Sequence, residues 1–393
     1  SLGNGIFKPN AKVIIGAICD SSNQKEFYYR FYYLVFNQFG FFAPIITTYF
    51  YMYQYEYGFL AAAFAMIFVF ILLYIIWDKN PGLQRHAELP NKSTNLIRCA
   101  ILCIFLTYIL SHILYEWYLL ELLIHLSIIF IGIYLIYFIY FCLENEKKST
   151  IFLLLMIIIN LFFTIFIKQI STIFILFADR NINLSYGGVI KVSAGILEAI
   201  DPFTVIVFGT ASIYYYSNDS IKNLHSRIHL ACIFLILPFI IMYIGCVVFS
   251  DNNNEISIIF PILAGASLLL TEVLFYPFLI FIINELAPSK YKSIFISLMY
   301  FGSAISQYIS TLFTKFISNI PQEILNSSSN KQTIKLLTLN HYTNVFKIDI
   351  FLTLITTMII VIILNTSFIH RMIKYYHEKN KKLEADNTSD LKL

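Results

Sequence analysis

Charged side chains are scarce in this sequence. Asp, Glu, Lys and Arg make up 13% of the 393 residues, whereas 58% are hydrophobic and the mean hydropathy is +0.72. A soluble domain carries about 25% charged residues because its surface must be compatible with water. The scarcity therefore excludes a soluble globular protein and predicts a chain that is solvated by lipid. The few Lys and Arg residues lie in short runs rather than in a basic stripe, which argues against nucleic-acid binding.

The sequence also lacks the spacings that metal, redox and covalent chemistry require. The six cysteines lie mostly inside apolar segments without a metal-ligand or disulfide pattern, so we interpret them as small buried apolar residues. Among the eight histidines, His225 and His229 are four residues apart, and we interpret them as a water-exposed pair at the membrane edge. No cluster of His, Asp or Ser favours an intramembrane enzyme such as a lipid-modifying transferase. We predict no enzyme, no metal site and no organic cofactor.

Long apolar stretches recur along the chain. A spanning helix needs about 20 mainly apolar residues to cross about 30 Å of hydrocarbon. Eleven segments fit this expectation, the first of them short, and polar loops separate them, the longest over residues 320–343. The predicted spans are residues 6–19, 31–51, 57–77, 97–115, 118–142, 150–177, 193–216, 228–249, 257–285, 291–318 and 346–370. We therefore predict an all-α polytopic membrane protein without a soluble domain.

Lys and Arg are distributed unequally between alternate loops. One set of loops, which ends with the C-terminal tail, is far more basic than the other. The opposite set includes residues 251–255, which contain no Lys or Arg, and the long loop with Lys331 and Lys335. Because basic loops stay on the cytoplasmic side of a membrane, we predict a cytoplasmic C-terminus.

We single out five ionisable residues inside predicted spans: Lys8, Lys168, Glu198, Asp201 and Glu272. A charge in the middle of a span is costly, so it normally faces a partner or a water-filled cavity and marks a pathway. Opposite charges on separate helices suggest either a gating salt bridge or a binding site for a zwitterion. Spacing alone does not separate these two interpretations from a third, in which each charge snorkels to an interface or forms a static pair.

Four groups of residues, in order along the chain, resemble motifs of one transporter family. Residues 3–10, GNGIFKPN, resemble G-x-G-x-x-K-P-N, and residues 31–44 resemble F-Y-x-x-I-N-x-G-x-x-x-A-P. Residues 177–181, FADRN, resemble F-A-D-R-N, and residues 272–277, EVLFYP, resemble E-x-x-x-x-P. On these motifs the chain resembles the proton-dependent oligopeptide transporters of the major facilitator superfamily.

The resemblance implies the fold of that superfamily. The first motif would lie on the family's fourth helix, so the chain would be N-terminally truncated by three helices. Eleven spans plus three gives fourteen, the number for members with two inserted helices between the six-helix halves. The implied ranges are 1–78 for helices four to six, 79–148 for the linker with the two inserted helices, 149–371 for helices seven to twelve and 372–393 for a cytoplasmic tail.

The resemblance also implies a substrate site. Lys8 would meet the carboxylate end of a peptide and Glu272 would attract its amino terminus. Tyr33 and Asn37 would add hydrogen bonds, and Asp201 would lie beside the substrate. Such a site holds both charged termini and leaves room for variable side chains, which permits broad specificity with selection for length.

The chain departs from the family pattern on two helices. On helix seven, W-x-x-E-E-Q aligns with Thr164, Ile167, Lys168 and Gln169, so an acidic pair is replaced by Ile and Lys. On helix eight, Glu198 and Asp201 stand where neutral residues are usual. We hypothesise that Lys168 pairs with Asp201 or Glu198 and that this pair gates the site. The candidates for gating or proton coupling are Lys168, Glu198, Asp201 and Glu272.

The function implied by the resemblance is secondary active transport. We expect proton-coupled uptake of di- and tripeptides by alternating access, with the proton as coupling ion and no metal. The alternative is a carrier for another small zwitterionic or peptide-like solute with altered or lost proton coupling. A sensor that does not transport is a third interpretation. The expected setting is the lipid bilayer of a bacterial inner (plasma) membrane, with a monomeric protein, small peptides as substrates and no nucleic-acid partner.

Overall fold

The protein is described by a computed structural model in which nearly all ordered secondary structure is helical. The structure describes residues 22–79, 98–141, 144–186, 190–191, 194–215, 224–288, 291–317 and 331–371, apart from positions 54, 99, 100, 103, 110, 113–115, 368 and 370. The predicted span 6–19, and with it Lys8, lies outside the described residues. So does most of the predicted tail.

Ten α-helices are defined among the described residues, in the following order. They are α1 (Ser22–Tyr53), α2 (Tyr55–Lys79), α3 (Trp117–Phe141), α4 (Glu144–Ile167), α5 (Ile175–Asn181), α6 (Ile200–Tyr215), α7 (Leu224–Val248), α8 (Ile259–Leu286), α9 (Lys292–Ile317) and α10 (Lys331–Leu364). A π-helical turn (Ile170–Phe174) precedes α5, and a 3-10 helix (Ala194–Ala199) precedes α6. The strands β1 (Ser185–Tyr186) and β2 (Ile190–Lys191) form an antiparallel ladder, with Ser185 opposite Lys191.

Four described segments are long and apolar enough to cross a membrane. They are Glu146–Asn181, Leu224–Val248, Ile259–Leu286 and Gln332–Leu364. Inside a bilayer no water is available to the backbone, so a helix, which bonds its own N–H and C=O groups, is the stable form of such a segment. The prediction of an all-α membrane protein is confirmed for this part of the chain.

The structure changes two of the predicted spans. The span predicted over residues 150–177 is interrupted, because α4 ends at Ile167 and Lys168 and Gln169 form a turn before the π-helical turn. The Thr172 hydroxyl donates to the carbonyl of Lys168 (3.2 Å), a local bond of the kind that bends helices. The loop predicted over residues 320–343 is wrong in its second part, since α10 begins at Lys331 and continues as one helix to Leu364.

The chain divides into two compact units. The smaller unit comprises residues 55–147 and contains α2 and α3, together with residues 98–112, whose described positions are helical. Large apolar side chains on these helices are exposed on every side, among them Phe64, Ile104, Phe130 and Ile136. Such surfaces suit a surrounding of lipid tails. The four predicted domain ranges remain predictions.

The larger unit comprises residues 1–54 and 148–393. Here α1 packs against the 3-10 helix, α6 and α8, while α7 packs against α8 and α10. Aromatic rings fill the space between helices: the buried Phe239 ring of α7 lies 6.0 Å from Phe166 and 6.2 Å from Phe174. The Thr271 hydroxyl of α8 donates to the Ala231 carbonyl of α7 (3.2 Å), one of the polar contacts that hold helices together in lipid.

The FADRN motif joins three segments at one end of the larger unit. The buried Asn181 amide donates to the backbone carbonyls of Asn254 (3.1 Å) and Lys335 (2.9 Å), and the Asn181 carbonyl accepts from the Ile256 N–H (2.9 Å). The Lys335 ammonium forms an ion pair with Glu255. Residues 251–255 and Lys335, which charge distribution predicts on one side of the membrane, therefore lie at the same end of the unit.

Candidate functional site

Three helices of the larger unit bring the predicted site residues together. Tyr33 lies on α1 and is buried, Asp201 lies in the first turn of α6, and Glu272 lies in the middle of α8. The two carboxylates are half-buried. Since Asp201 begins a helix and Glu272 lies inside one, both are held by backbone rather than by flexible loops.

A small apolar cluster fixes the relative position of these helices. It consists of Tyr33 of α1, Val205 of α6 and Val273 of α8, with Tyr276 of α8 packed against it. The rings of Tyr33 and Tyr276 are 5.4 Å apart. Val205 lies one turn after Asp201 and Val273 directly follows Glu272, and both carboxylates interact with the Tyr33 side chain.

The charges of the site act on one another. Tyr33 interacts electrostatically with Glu272 most strongly and with Asp201 less strongly. Asp201 in turn interacts with Glu272, Lys168 and Glu198, in decreasing order of strength. The buried Tyr33 hydroxyl lies close to the Glu272 carboxylate and interacts with it, although no hydrogen bond of good geometry joins the two. A hydroxyl beside two carboxylates is suited to a ligand that supplies both positive charge and hydrogen-bonding groups.

Lys168 lies at the interruption after α4. It is half-buried and interacts electrostatically with Asp201, but the described side chains of Lys168, Asp201 and Glu198 form no direct ion pair. Glu198 lies in the 3-10 helix with an exposed side chain. The structure brings Lys168 and Asp201 into one region, and the hypothesis that this pair gates the site remains a prediction.

Asn37 lies one turn after Tyr33 on α1. Its Nδ2 atom donates a hydrogen bond to the Tyr33 carbonyl (2.8 Å), so one side of the amide is engaged by its own helix. The side chain is half-buried. A contact between Asn37 and a substrate therefore remains a prediction that would involve the amide oxygen.

Sequence reasoning missed two tyrosines of this region. Tyr276 lies four residues after Glu272, and its hydroxyl shares a hydrogen bond with that of Tyr300 on α9. Residues four apart lie on the same face of a helix. Applied to the EVLFYP motif, this rule would have placed Tyr276 beside Glu272.

Metal chemistry finds no support in this region. Among the described residues, no group of three or more His, Cys, Asp or Glu side chains could hold a metal ion. Cys232 and Cys246 are buried free thiols. The chemistry that the site offers consists of charge attraction and hydrogen bonding.

Apolar helices that surround facing carboxylates, a lysine and a tyrosine are characteristic of an integral membrane carrier. The family model of the POT family matches residues 1–335. The chain therefore belongs to the POT family. Its members and their solved relatives are transporters rather than enzymes, so the predictions of the family, the superfamily fold and the absence of enzyme activity are confirmed.

Solved structures of similar fold include several peptide transporters. A structure described as tetrameric PepTSo2 aligns with a TM-score of 0.66 and 22% identity, covering 94% of this chain and 76% of that one. A peptide transporter POT variant in complex with alafosfalin aligns with a TM-score of 0.60 and 21% identity, covering 88% and 71%. A POT family transporter in complex with 5-aminolevulinic acid aligns with a TM-score of 0.61 and 15% identity, covering 92% and 73%. A search of curated proteins found no significant match.

Proposed function

We propose that this protein is a secondary active transporter that takes up di- and tripeptides together with protons by alternating access. The observation that carries the proposal is the meeting of Tyr33, Asp201 and Glu272, from three helices, in one half-buried region. A peptide has a positive amino terminus, which two carboxylates attract. The Tyr33 hydroxyl, which lies beside the Glu272 carboxylate, would bond to the ligand as well.

Relatives of similar fold support a small charged substrate. One is described in complex with alafosfalin and another with 5-aminolevulinic acid, whose name specifies both an amine and an acid. For this chain, Glu272 and Asp201 would hold the amine end of such a ligand. Lys8 would hold the acid end, and this assignment rests on the GNGIFKPN motif.

A second candidate is a carrier for another small zwitterion with altered or lost proton coupling. The observation that favours it is the electrostatic contact of Lys168 with Asp201. Lys168 stands where the family pattern has a carboxylate, so a group that could carry the coupling proton is replaced by a lysine. Lys168, Glu198, Asp201 and Glu272 remain the candidates for gating or for proton movement.

Uptake by proteoliposomes tests both candidates. The purified full-length protein would be supplied with labelled di- and tripeptides, with and without an imposed proton gradient. We expect accumulation of both peptides that depends on the gradient, and competition by unlabelled peptides. Accumulation of 5-aminolevulinic acid without any peptide uptake would favour the second candidate. Absence of uptake for every one of these solutes would contradict both.

We further propose a bacterial inner (plasma) membrane location, a cytoplasmic C-terminus and a monomeric protein. The unequal distribution of Lys and Arg between alternate loops supports the orientation. Labelling of a single cysteine introduced in the tail, from either side of the membrane, tests the orientation. Light scattering of the detergent-solubilised protein tests the oligomeric state.

A further inference from the structure

A second acidic group in the larger unit is Asp349, which was not among the charges described above. Asp349 is in the middle of α10, and Gln169 is in the turn between α4 and the π-helical turn. Both side chains are fully buried, with 0% exposure. The Gln169 Nε2 atom donates a hydrogen bond to Asp349 Oδ1 at 3.2 Å. This pair joins two segments that are 180 residues apart in the sequence.

Each side chain of the pair has one oxygen atom that accepts no hydrogen bond. Asp349 Oδ2 and Gln169 Oε1 are both buried and have no hydrogen-bond donor among the described residues. The nearby Thr353 hydroxyl donates to the backbone carbonyl of Asp349 (2.8 Å) and not to its carboxyl group. Buried acceptors without a donor are rare in proteins. A single donor between the two side chains would satisfy both oxygens of the pair.

Charged groups do not compensate the Asp349 carboxylate. On α10, the Lys347 ammonium lies 5.5 Å from the centre of the Tyr243 ring of α7, and on α5 the Arg180 guanidinium donates to the Tyr342 hydroxyl (2.9 Å). Lys168 precedes Gln169 but interacts with Asp201. Among the described residues, the Asp349 carboxyl group has no hydrogen-bond partner other than Gln169. The other titratable groups on the packed elements are His225, Arg227, His229, Cys232 and Cys246 of α7, Asp179 of α5, and Lys331, Lys335, His341 and Tyr342 of α10.

We propose that Asp349 is a proton-binding site. A proton on Oδ2 would donate to Gln169 Oε1, while Nε2 of the same amide donates to Oδ1. The two side chains would then form a closed acid–amide pair with every polar atom satisfied. The neutral acid also avoids burying an uncompensated charge in a membrane-spanning helix, which is the costly alternative.

A buried water molecule is the competing explanation for the two free oxygens. It could donate to both oxygens, but Asp349 would then stay ionised without a cationic partner. The two explanations therefore differ in the protonation of one carboxyl group, which infrared spectroscopy measures directly.

The position of Gln169 links proton binding at Asp349 to a conformational change at the π-helical turn. Gln169 is adjacent to the π-helical turn, and such turns are frequent at functional sites. If this segment moves away from α10, Asp349 loses its amide partner and meets water, so the proton passes from Oδ2 to water and leaves a hydrated carboxylate. This coupling role rests on the proposed transport function, whereas the presence of the proton does not.

Infrared difference spectra of Asp349→Asn against the unchanged protein test the proton. The protein in lipid at neutral pH should show the carbonyl stretch of a protonated carboxylic acid that is absent in Asp349→Asn. Asn is a close isostere of the neutral acid and can pair with Gln169, so the variant should fold. The matched control is Asp179→Asn, which changes an exposed Asp on α5 and should leave the band in place. Identical spectra for the protein and Asp349→Asn would overturn the proposal.

A transport assay on the same variants tests the coupling role. A potential of about 100 mV accumulates a solute that moves with one charge about fiftyfold. We expect Asp349→Asn to lose this accumulation yet to retain exchange of labelled for unlabelled peptide, which needs no net proton movement. Driven accumulation equal to that of Asp179→Asn would overturn the coupling role. If the unchanged protein transports no peptide, the proposed function fails, while the infrared result still decides whether Asp349 binds a proton.

Discussion

Helices α3 and α8 are similar in composition and different in surroundings. Both are strongly apolar and both are long, at 25 and 28 residues. On α3, Phe130 and Ile136 are each 72% exposed, whereas α8 buries most of its side chains, including the polar Thr271 and Asn284. Apolar composition thus indicates a membrane segment but not what surrounds it. A buried polar side chain with a partner on a neighbouring helix, as Thr271 has on α7, identifies the inner helix.

The largest expected effect comes from removing a ring in the larger unit. Phe239→Ala should lower the free energy of unfolding by about 3–5 kcal/mol, because Phe166 and Phe174 would lose their packing contacts around a cavity. Phe130→Ala on α3 is the matched control and should have little effect, since lipid chains can replace the ring. Thermal unfolding of both variants in the same detergent measures the difference. Equal destabilisation would mean that α3 is packed as tightly as α7.

The next effect concerns the charge on α8. Glu272→Gln keeps the shape of the side chain but would lose the charged hydrogen bond that we propose to the substrate amine, worth about 1.5–3 kcal/mol, or roughly tenfold to a hundredfold in uptake. Glu121→Gln on α3 is the control and should transport normally. Initial rates of peptide uptake by proteoliposomes provide the comparison. A Glu272→Gln variant as active as the control would exclude Glu272 from substrate binding.

The smallest effect distinguishes two glycines inside helices. A Cβ added at Gly245 of α7 would lie 2.9 Å from the Phe260 ring, whereas nothing lies within 4 Å of one added at Gly132 of α3. Gly245→Ala should therefore destabilise the protein by about 1–3 kcal/mol. Gly132→Ala should stabilise it slightly, by up to about 1 kcal/mol, because Ala is the better helix former. Chemical denaturation measures both values, and a loss of stability in Gly132→Ala would show that α3 has a close neighbour.

Much of the fold could be predicted from the sequence because apolar runs and the four motifs are local signals. The helix bounds of α3, α7, α8 and α9 agree with the predicted spans to within a few residues. The interruption at Lys168 and Gln169 could not be predicted, since the surrounding Ile, Phe, Ser and Thr residues fit a straight apolar helix. The turn depends instead on side-chain bonds such as that of Thr172 and on packing.

The candidate site was predictable in part for the same reason. Charges inside spans singled out Asp201 and Glu272, which the structure brings together. Asp349 was missed because the last span was predicted to begin at residue 346, which would place this residue at the membrane edge. The first part of α10 is polar in sequence, and it is helical because Leu339 and Tyr342 are buried against neighbouring segments. Tertiary packing of this kind overrides local propensity.

The Asn181 side chain has a mechanical consequence for the larger unit. The side-chain amide nitrogen and the backbone carbonyl of Asn181 hold the end of α5, the segment before α8 and the first turns of α10 together. Separation of these three segments would leave several buried polar groups without hydrogen-bond partners at once. If the chain bends at the π-helical turn, these bonds would keep the tethered ends together, and the displacement of α4 would grow with distance from this end.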